Sequence, residues 1–328
     1  MNAAAPPGPH DIYRLTCLRE LLAAHGVRLK QTLGQNFLHD RNVIEKIVRH
    51  AGIQPSDIVL EIGAGMGHLT LALARAAARV VAVETDARLI PLLTEILAPL
   101  PNVTIIHADI LAQPLASFCS HHALAPTVLA ANLPYYITTP LIEEVVTSGL
   151  PLRSLSCTVQ QEAAERLMAL PGQRAYGPAA VLLRLWGTPA VGSTISPQCF
   201  FPRPAVRSCT LHLCPHQPPL ITPRLWQPVA HLVRHVFRQR RKTLANALAA
   251  VCHDGRSAAA WLAAAGLPHA ARAEQLDPTA FLRLAACAPI PHCALHSSST
   301  VPQNSLAPAP ASSIAPAPCA SPSANSRT

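Results

Sequence analysis

Charged side chains are scarce in this 328-residue chain, at 13%, and acids are scarcer than bases: 17 Asp and Glu against 26 Lys and Arg, a formal net charge of +9. So thin a supply excludes a surface laced with ion pairs and leaves a basic one, which suits a polyanionic partner wherever the charge clusters. No uncharged apolar run reaches ~18 residues, the length a membrane-spanning helix needs. The opening residues lack the basic-then-apolar order of a signal peptide, so the expectation is a cytoplasmic protein with no membrane partner. Ten cysteines are present without a C-x-x-C pair, and they read as reduced packing thiols. Despite 16 histidines, no four ligands have metal-like spacing, so no metal is expected. No internal repeat appears.

What is present is an ordered alternation. Short apolar runs occur in DIVLEIG from Asp57, RVVAVETD (79–86), NVTIIHADI (102–110) and TVLAANLPYY (127–136), with helix-length stretches between them. This predicts an α/β fold with a Rossmann-like parallel sheet whose ligands bind at the carboxyl ends of the strands. Three later runs, SLSCTVQQ (154–161), AVLLRLWG (180–187) and SCTLHLC (208–214), are predicted to complete the sheet. A Pro-containing break at 215–223 precedes an Ala/Leu/Arg-rich stretch that reads as helices only. The expected organisation is an N-terminal extension over 1–26 with a helix from Ile12 to His25, a catalytic domain over 27–214, a small all-α C-terminal domain over 215–287, and a disordered tail over 288–328. That tail has eight prolines, no acid and one Arg, a composition that cannot offset the entropy of ordering.

Residues 61 to 67 read E-I-G-A-G-M-G, three glycines on alternate positions between a predicted strand and a predicted helix (HLTLALARAAA, 68–78). Glycine there permits positive φ and lets backbone N–H groups and a helix N-terminus approach a ligand. Glu84 ends the second strand 21 residues after Gly63, where a nucleotide-binding βαβ unit places an acid against ribose hydroxyls. A nicotinamide-dinucleotide enzyme shares these features, but its G-x-G-x-x-G needs glycine at 68, where His68 stands. G-x-G-x-G preceded by Glu61 suits S-adenosylmethionine, which has no pyrophosphate to cradle.

The third strand ends in Asp109, whose carboxylate can accept from an adenine exocyclic amine or cap a helix. The fourth ends in Asn132-Leu133-Pro134-Tyr135. Here the Asn132 side-chain oxygen and the Leu133 carbonyl can accept both N–H bonds of an amine, Tyr135 offers a stacking face, and Pro134 stiffens the turn. An adenine N6 lone pair is delocalised into the ring, and two acceptors on its hydrogens localise it for in-line attack on a sulfonium methyl.

Taken together the chain resembles the ribosomal RNA adenine dimethyltransferase family that modifies two adjacent adenines near the 3′ end of small-subunit RNA. The likeness rests on Gly34-Gln35-Asn36-Phe37-Leu38, Glu61-Ile62-Gly63-Ala64-Gly65, Glu84, Asp109 and Asn132 to Tyr135, in that family's order. It continues through Arg174-Ala175-Tyr176-Gly177, Phe200-Phe201-Pro202-Arg203-Pro204-Ala205-Val206, Arg240-Arg241-Lys242-Thr243 and Arg272-Ala273-Glu274, so it spans about residues 30 to 285. The resemblance implies a class I S-adenosylmethionine-dependent methyltransferase. It makes Asn36, Leu38, Gly63, Glu84, Asp109 and Asn132 the cofactor contacts. It also makes Asn132, Leu133, Pro134 and Tyr135, with Phe200 as a second aromatic platform or a core residue, the target-adenine pocket. Two departures stand out: Ala64 replaces a proline in the glycine turn, and Gln161 follows Gln160 where the family commonly has lysine.

Between Arg224 and Thr243 lie six Lys and Arg and no acid, ending in RQRRKT on a predicted helix. Arg238, Arg240, Arg241 and Lys242 are the expected phosphate contacts. A target base must be unstacked to reach Asn132, which costs less in a loop than in a duplex. Implied partners are small-subunit ribosomal RNA and the immature small subunit, bound by a monomer. Resistance-type methyltransferases of large-subunit RNA share the fold, but GQNFL and RRKT favour the small-subunit branch. The intact N-L-P-Y argues against a non-catalytic assembly factor, and the absence of an acid/base dyad against an oxidoreductase.

Overall fold

The computed structural model describes residues 11–29, 35–252 and 255–288. The Pro-rich start, Gly34 of the GQNFL motif and the tail from residue 289 lie outside the described residues. A 3-10 turn (Asp11–Tyr13) leads into α1 (Leu15–Ala24), β1 (Phe37–Leu38) and α2 (Arg41–His50). Then βα units follow: β2 (Ile58–Ile62), α3 (His68–Ala76), β3 (Arg79–Glu84), α4 (Ile90–Leu97), β4 (Val103–His107), α5 (Leu115–His121), β5 (Val128–Asn132), α6 (Thr138–Thr147) and β6 (Ser154–Gln160). After α7 (Gln161–Met168) and α8 (Pro178–Trp186) come β7 (Gly187–Ile195), β8 (Phe200–Phe201) and β9 (Ser208–Pro215). The described chain closes with α9 (Trp226–Arg238), α10 (Leu244–Cys252), α11 (Gly255–Ala264) and α12 (Pro278–Ala286).

The main sheet has the order β4-β3-β2-β5-β6-β9-β7. Its first five strands are parallel, and β9 runs antiparallel to both β6 and β7. The central strands β2, β3 and β5 are buried along nearly their whole length, which is why they read as near-continuous Val/Ile/Leu/Ala runs. A separate antiparallel pair joins β1 to β8, with Phe37 opposite Phe201 and Leu38 opposite Phe200.

One expected strand is a helix. AVLLRLWG belongs to α8, which starts at Gly177-Pro178 with proline in its first turn; a preset φ there favours a helix start, and Ala, Leu and Arg are strong helix formers. A short apolar run cannot separate a buried strand from a buried helix by periodicity alone. The strand begins only at Gly187, where an added Cβ would lie 1.9 Å from the Cys214 carbonyl oxygen.

The outer segments share the core of the sheet. Ile12, Leu18, Leu21 and Leu22 pack with Ala64, Met66, Leu71 and Leu92 in one cluster, so the N-terminal segment buttresses the glycine turn. His68 Nε2 lies 2.9 Å from the Ile12 carbonyl oxygen, and burial holds that imidazole down at about 4. The ring is therefore neutral at pH 7, with Nε2–H as donor. At the other end, Val229, Val233, Leu248, Trp261 and Phe281 belong to the same cluster as Leu129, Leu155 and Leu183. Among the described residues after β9 every regular element is a helix or 3-10 turn, and the apolar cluster runs through 215 without a break.

Candidate active site

Parallel strands in register bring Ile62, Glu84, His107 and Asn132 to one end of the sheet. A cleft opens there. Of the residues expected at the site, Asn36, Gly63, Glu84, Asp109, Asn132 and Pro134 line it.

The glycine turn is closed by its own chain. Val83 O accepts from both Gly63 N and Ala64 N, at 2.9 and 3.1 Å, and Glu84 Oε2 accepts from Gly65 N at 2.7 Å. These three donors are thus engaged by β3 and its end, which leaves no row of N–H groups for a pyrophosphate. Gly65 has φ +59°, and an added Cβ would lie 2.9 Å from the Phe37 ring, so the close approach at this glycine is made by β1. Gly63, with φ +76°, lines the cleft; its missing Cβ faces Pro134 and the Asn132 carbonyl.

The other Glu84 oxygen accepts from Thr85 N at 2.9 Å and Asp86 N at 2.8 Å. Burial raises the Glu84 carboxyl above its ordinary range, against the pull of these three N–H bonds. Glu61 lies beneath the turn at 1% exposure. Burial, aided by the Glu84 charge, pushes its carboxyl up to about 8, so it is mostly protonated at neutral pH. Asp109 is exposed at the cleft wall and accepts from Leu111 N at 2.9 Å. Its turn-capping role and its place in the cleft are therefore compatible.

Asn132 is fixed from two sides. Its Nδ2 donates to the Asn36 carbonyl at 3.0 Å, and its Oδ1 accepts from the hydroxyl of Thr158, its partner in register on β6. The side chains of the remaining expected residues do not line the cleft. Leu133 is buried, and the Tyr135 hydroxyl pairs with Ser208 Oγ at 2.9 Å. Leu38 and Phe200, at 3% and 4% exposure, pack with Ile44 and Ile47. Phe200 is thus a core side chain rather than an open stacking platform, because in β8 alternate residues face opposite ways and Phe201 takes the outer position under the Arg19 guanidinium, 5.3 Å from its ring centroid. Tyr136, 59% exposed, lines the cleft together with the buried Phe37.

Sequence reasoning missed Gln35, Asp86 and Thr158. Gln35 Nε2 donates to Asp86 Oδ2 at 2.7 Å, and Arg88 grips the same carboxylate while donating to the Arg28 carbonyl, which pins the segment before β1 to the loop after β3. Thr158 had a signal: S-L-S-C-T-V-Q alternates hydroxyl with apolar residues, which places Ser154, Ser156 and Thr158 on one face of β6.

The basic stretch departs from expectation. Helix α9 stops at Arg238, and Lys242 N donates to the Gln239 carbonyl, so RQRRKT lies on a turn. Arg238, Arg241 and Lys242 are exposed there. Arg240 instead bonds Glu274, on the 3-10 turn Ala273–Gln275, at 2.6 Å and the Gln173 carbonyl at 3.4 Å. It ties the helices to the loop after α7.

A parallel sheet with an added antiparallel edge, a glycine turn whose N–H groups β3 already engages, Glu84 at the end of β3 and Asp109 just past β4 make this a Rossmann-like class I methyltransferase fold. The chain belongs to the family described as Ribosomal RNA adenine dimethylase, whose sequence profile matches residues 26–288. It is 38% identical over 272 residues to Ribosomal RNA small subunit methyltransferase A of Geobacillus thermodenitrificans, covering 81% of this chain and 93% of that one. To the protein of the same name from Latilactobacillus sakei it is 36% identical over 283 residues, covering 84% and 95%. Among solved structures, a dimethyladenosine transferase from Plasmodium falciparum superposes with a TM-score of 0.61 at 25% identity, over 75% of this chain and 94% of that one. The 23S rRNA methyltransferase ErmE gives 0.56 at 25% identity, over 77% and 99%.

Proposed function

We propose that this chain uses S-adenosylmethionine to dimethylate N6 of two adjacent adenines in a loop near the 3′ end of small-subunit ribosomal RNA, acting as a cytoplasmic monomer on the immature subunit. The observation that supports it most is Asn132, held at the cleft wall beside Pro134 with its carboxamide oriented by two partners.

The residues present fit the cofactor. Apolar Leu89, Ile110 and Leu111 wall a cleft that also presents the carboxylates of Glu84 and Asp109, so an adenosine finds flat apolar contact together with acceptors for ribose hydroxyls and an exocyclic amine. The missing Cβ at Gly63 keeps the floor open beside Asn132. When bound, S-adenosylmethionine supplies an electrophilic methyl group on a sulfonium.

The chain's own part is positioning and electrostatics. Asn132 Oδ1 and the Leu133 carbonyl accept the two N–H bonds of the target amine, which localises its lone pair and aims it into the cleft. With the cofactor bound, its sulfonium would give up the methyl group to N6 and leave as a neutral thioether, and the proton displaced from N6 would pass to water, so the chain needs no base of its own. Exposed Arg238, Arg241 and Lys242 contact phosphates and add affinity without reading sequence. Names of the relatives favour small-subunit RNA. Incubation of the purified chain with methyl-labelled cofactor and unmethylated small-subunit particles should yield N6,N6-dimethyladenosine, and large-subunit RNA should stay unlabelled. Label in the large-subunit RNA, or none in either, overturns the reading.

A further inference from the structure

We infer that Thr158 is a positioning residue for the methyl transfer, acting through Asn132; this rests on the function proposed above. Thr158 is 1% exposed and stands opposite Asn132 in the parallel β5–β6 register. Its hydroxyl donates to Asn132 Oδ1. On the other side of the same carboxamide the Asn36 carbonyl, which only accepts, takes Nδ2 at 3.0 Å. The two contacts agree on one orientation: the amide nitrogen must face Asn36, so the oxygen must face Thr158. A carboxamide oxygen has two acceptor sites. Thr158 fills one, and the other is the site left for an N–H of the target amine.

This arrangement has a consequence that packing alone lacks. An unmethylated adenine brings two N–H bonds, one for Asn132 and one for the Leu133 carbonyl. After the first transfer only one N–H remains, so a single acceptor must hold the nitrogen for the second. An Asn132 side chain free to rotate serves that second transfer less well than one locked by a hydroxyl. Thr158 therefore bears most on dimethylation and little on RNA affinity, since it is buried within the sheet.

Three variants test the role at saturating S-adenosylmethionine on unmethylated small-subunit particles, with mono- and dimethyladenosine quantified separately. Thr158→Val keeps the shape and removes the donor, and it should lower kcat about 3- to 10-fold, the span of one net neutral hydrogen bond. KM for the particle should stay unchanged and monomethyladenosine should accumulate. Thr158→Ser restores the hydroxyl and should restore both rate and product ratio. In an Asn132→Ala background Thr158→Val should add nothing. Should the valine variant melt below the assay temperature, Thr158→Cys, a weak donor of similar size, replaces it with the same expectations. Wild-type kcat and product ratio in Thr158→Val, a change in KM alone, or an additive loss on top of Asn132→Ala each overturns the inference. A wild-type chain that leaves the particles unmethylated overturns the function itself.

Discussion

Glu84 Oε2 accepts the Gly65 backbone N–H at 2.7 Å, so the acid expected to meet a ribose also holds the glycine turn against β3. One side chain thus shapes the floor of the cleft and presents a charge to it. With Thr85 N and Asp86 N on its second oxygen, Glu84→Ala leaves three donors without their acceptor. The Gly65 and Asp86 donors are buried, and each one so abandoned costs about 1 to 3 kcal/mol. Both the melting temperature and the cofactor affinity should fall, and calorimetry with scanning thermal denaturation separates the two. A variant that loses affinity with an unchanged melt would show that the turn is held by other contacts.

Glu61 gives the fold a pH dependence. Its folded carboxyl titrates at about 8 against an ordinary 4.5, so between those values the native chain binds the extra proton and stability falls as pH rises. The stability is fully present below about 4.5 and lost through 8. Glu61→Gln removes this dependence. Its melting temperature relative to wild type should therefore be higher at pH 8.5 than at pH 5, and an equal offset at both pH values would contradict the raised titration.

The basic turn divides into two kinds of arginine. Removing Arg241 and Lys242 together should weaken RNA binding and lower the slope of log affinity against log salt by roughly 1.5 to 2 units, while leaving the melt alone. Arg240→Ala should do the opposite, lowering the melting temperature with little change in slope, because its guanidinium is engaged by Glu274. Filter binding over a salt series reads the first effect and thermal denaturation the second.

Asn132→Ala should reduce methyl transfer by about 100- to 1,000-fold, the usual contribution of one preorganised polar contact at a developing charge, with RNA affinity preserved. Because Asn132 also lines the cofactor cleft, the rate has to be read at saturating S-adenosylmethionine. Near-normal dimethylation in this variant would remove N-L-P-Y from the chemistry.

The strands that end at the site were legible because each is a buried apolar run closed by one polar residue: Glu84 after VVAV, Asn132 after VLAA. Register then puts those polar ends side by side without further information. Helix α8 was not legible, since AVLLRLW is apolar but for Arg184 and one charge gives no period to read. The direction of Phe200 was equally hidden, because two adjacent phenylalanines on a two-residue strand differ only in which face the pairing with β1 assigns them. Thr158 and Asp86 escaped notice for another reason: their importance lies in what they hold rather than in any motif of their own. The Arg240–Glu274 contact joins two segments that the sequence reading had already singled out but had no means of bringing together.

The pairing of Phe37 with Phe201 sets the order in which a working enzyme can be completed during synthesis. The two residues are 164 positions apart (201 minus 37), so closing that contact waits on most of the chain, and such long-range pairings are the slow events of folding. The five parallel strands all precede residue 161, so sheet and glycine turn can be assembled on the translating ribosome while Gly65 still lacks its phenyl neighbour. A nascent chain arrested short of residue 200 would then hold a finished floor and an open front, and its cofactor affinity should appear only when Phe200 and Phe201 emerge from the exit tunnel.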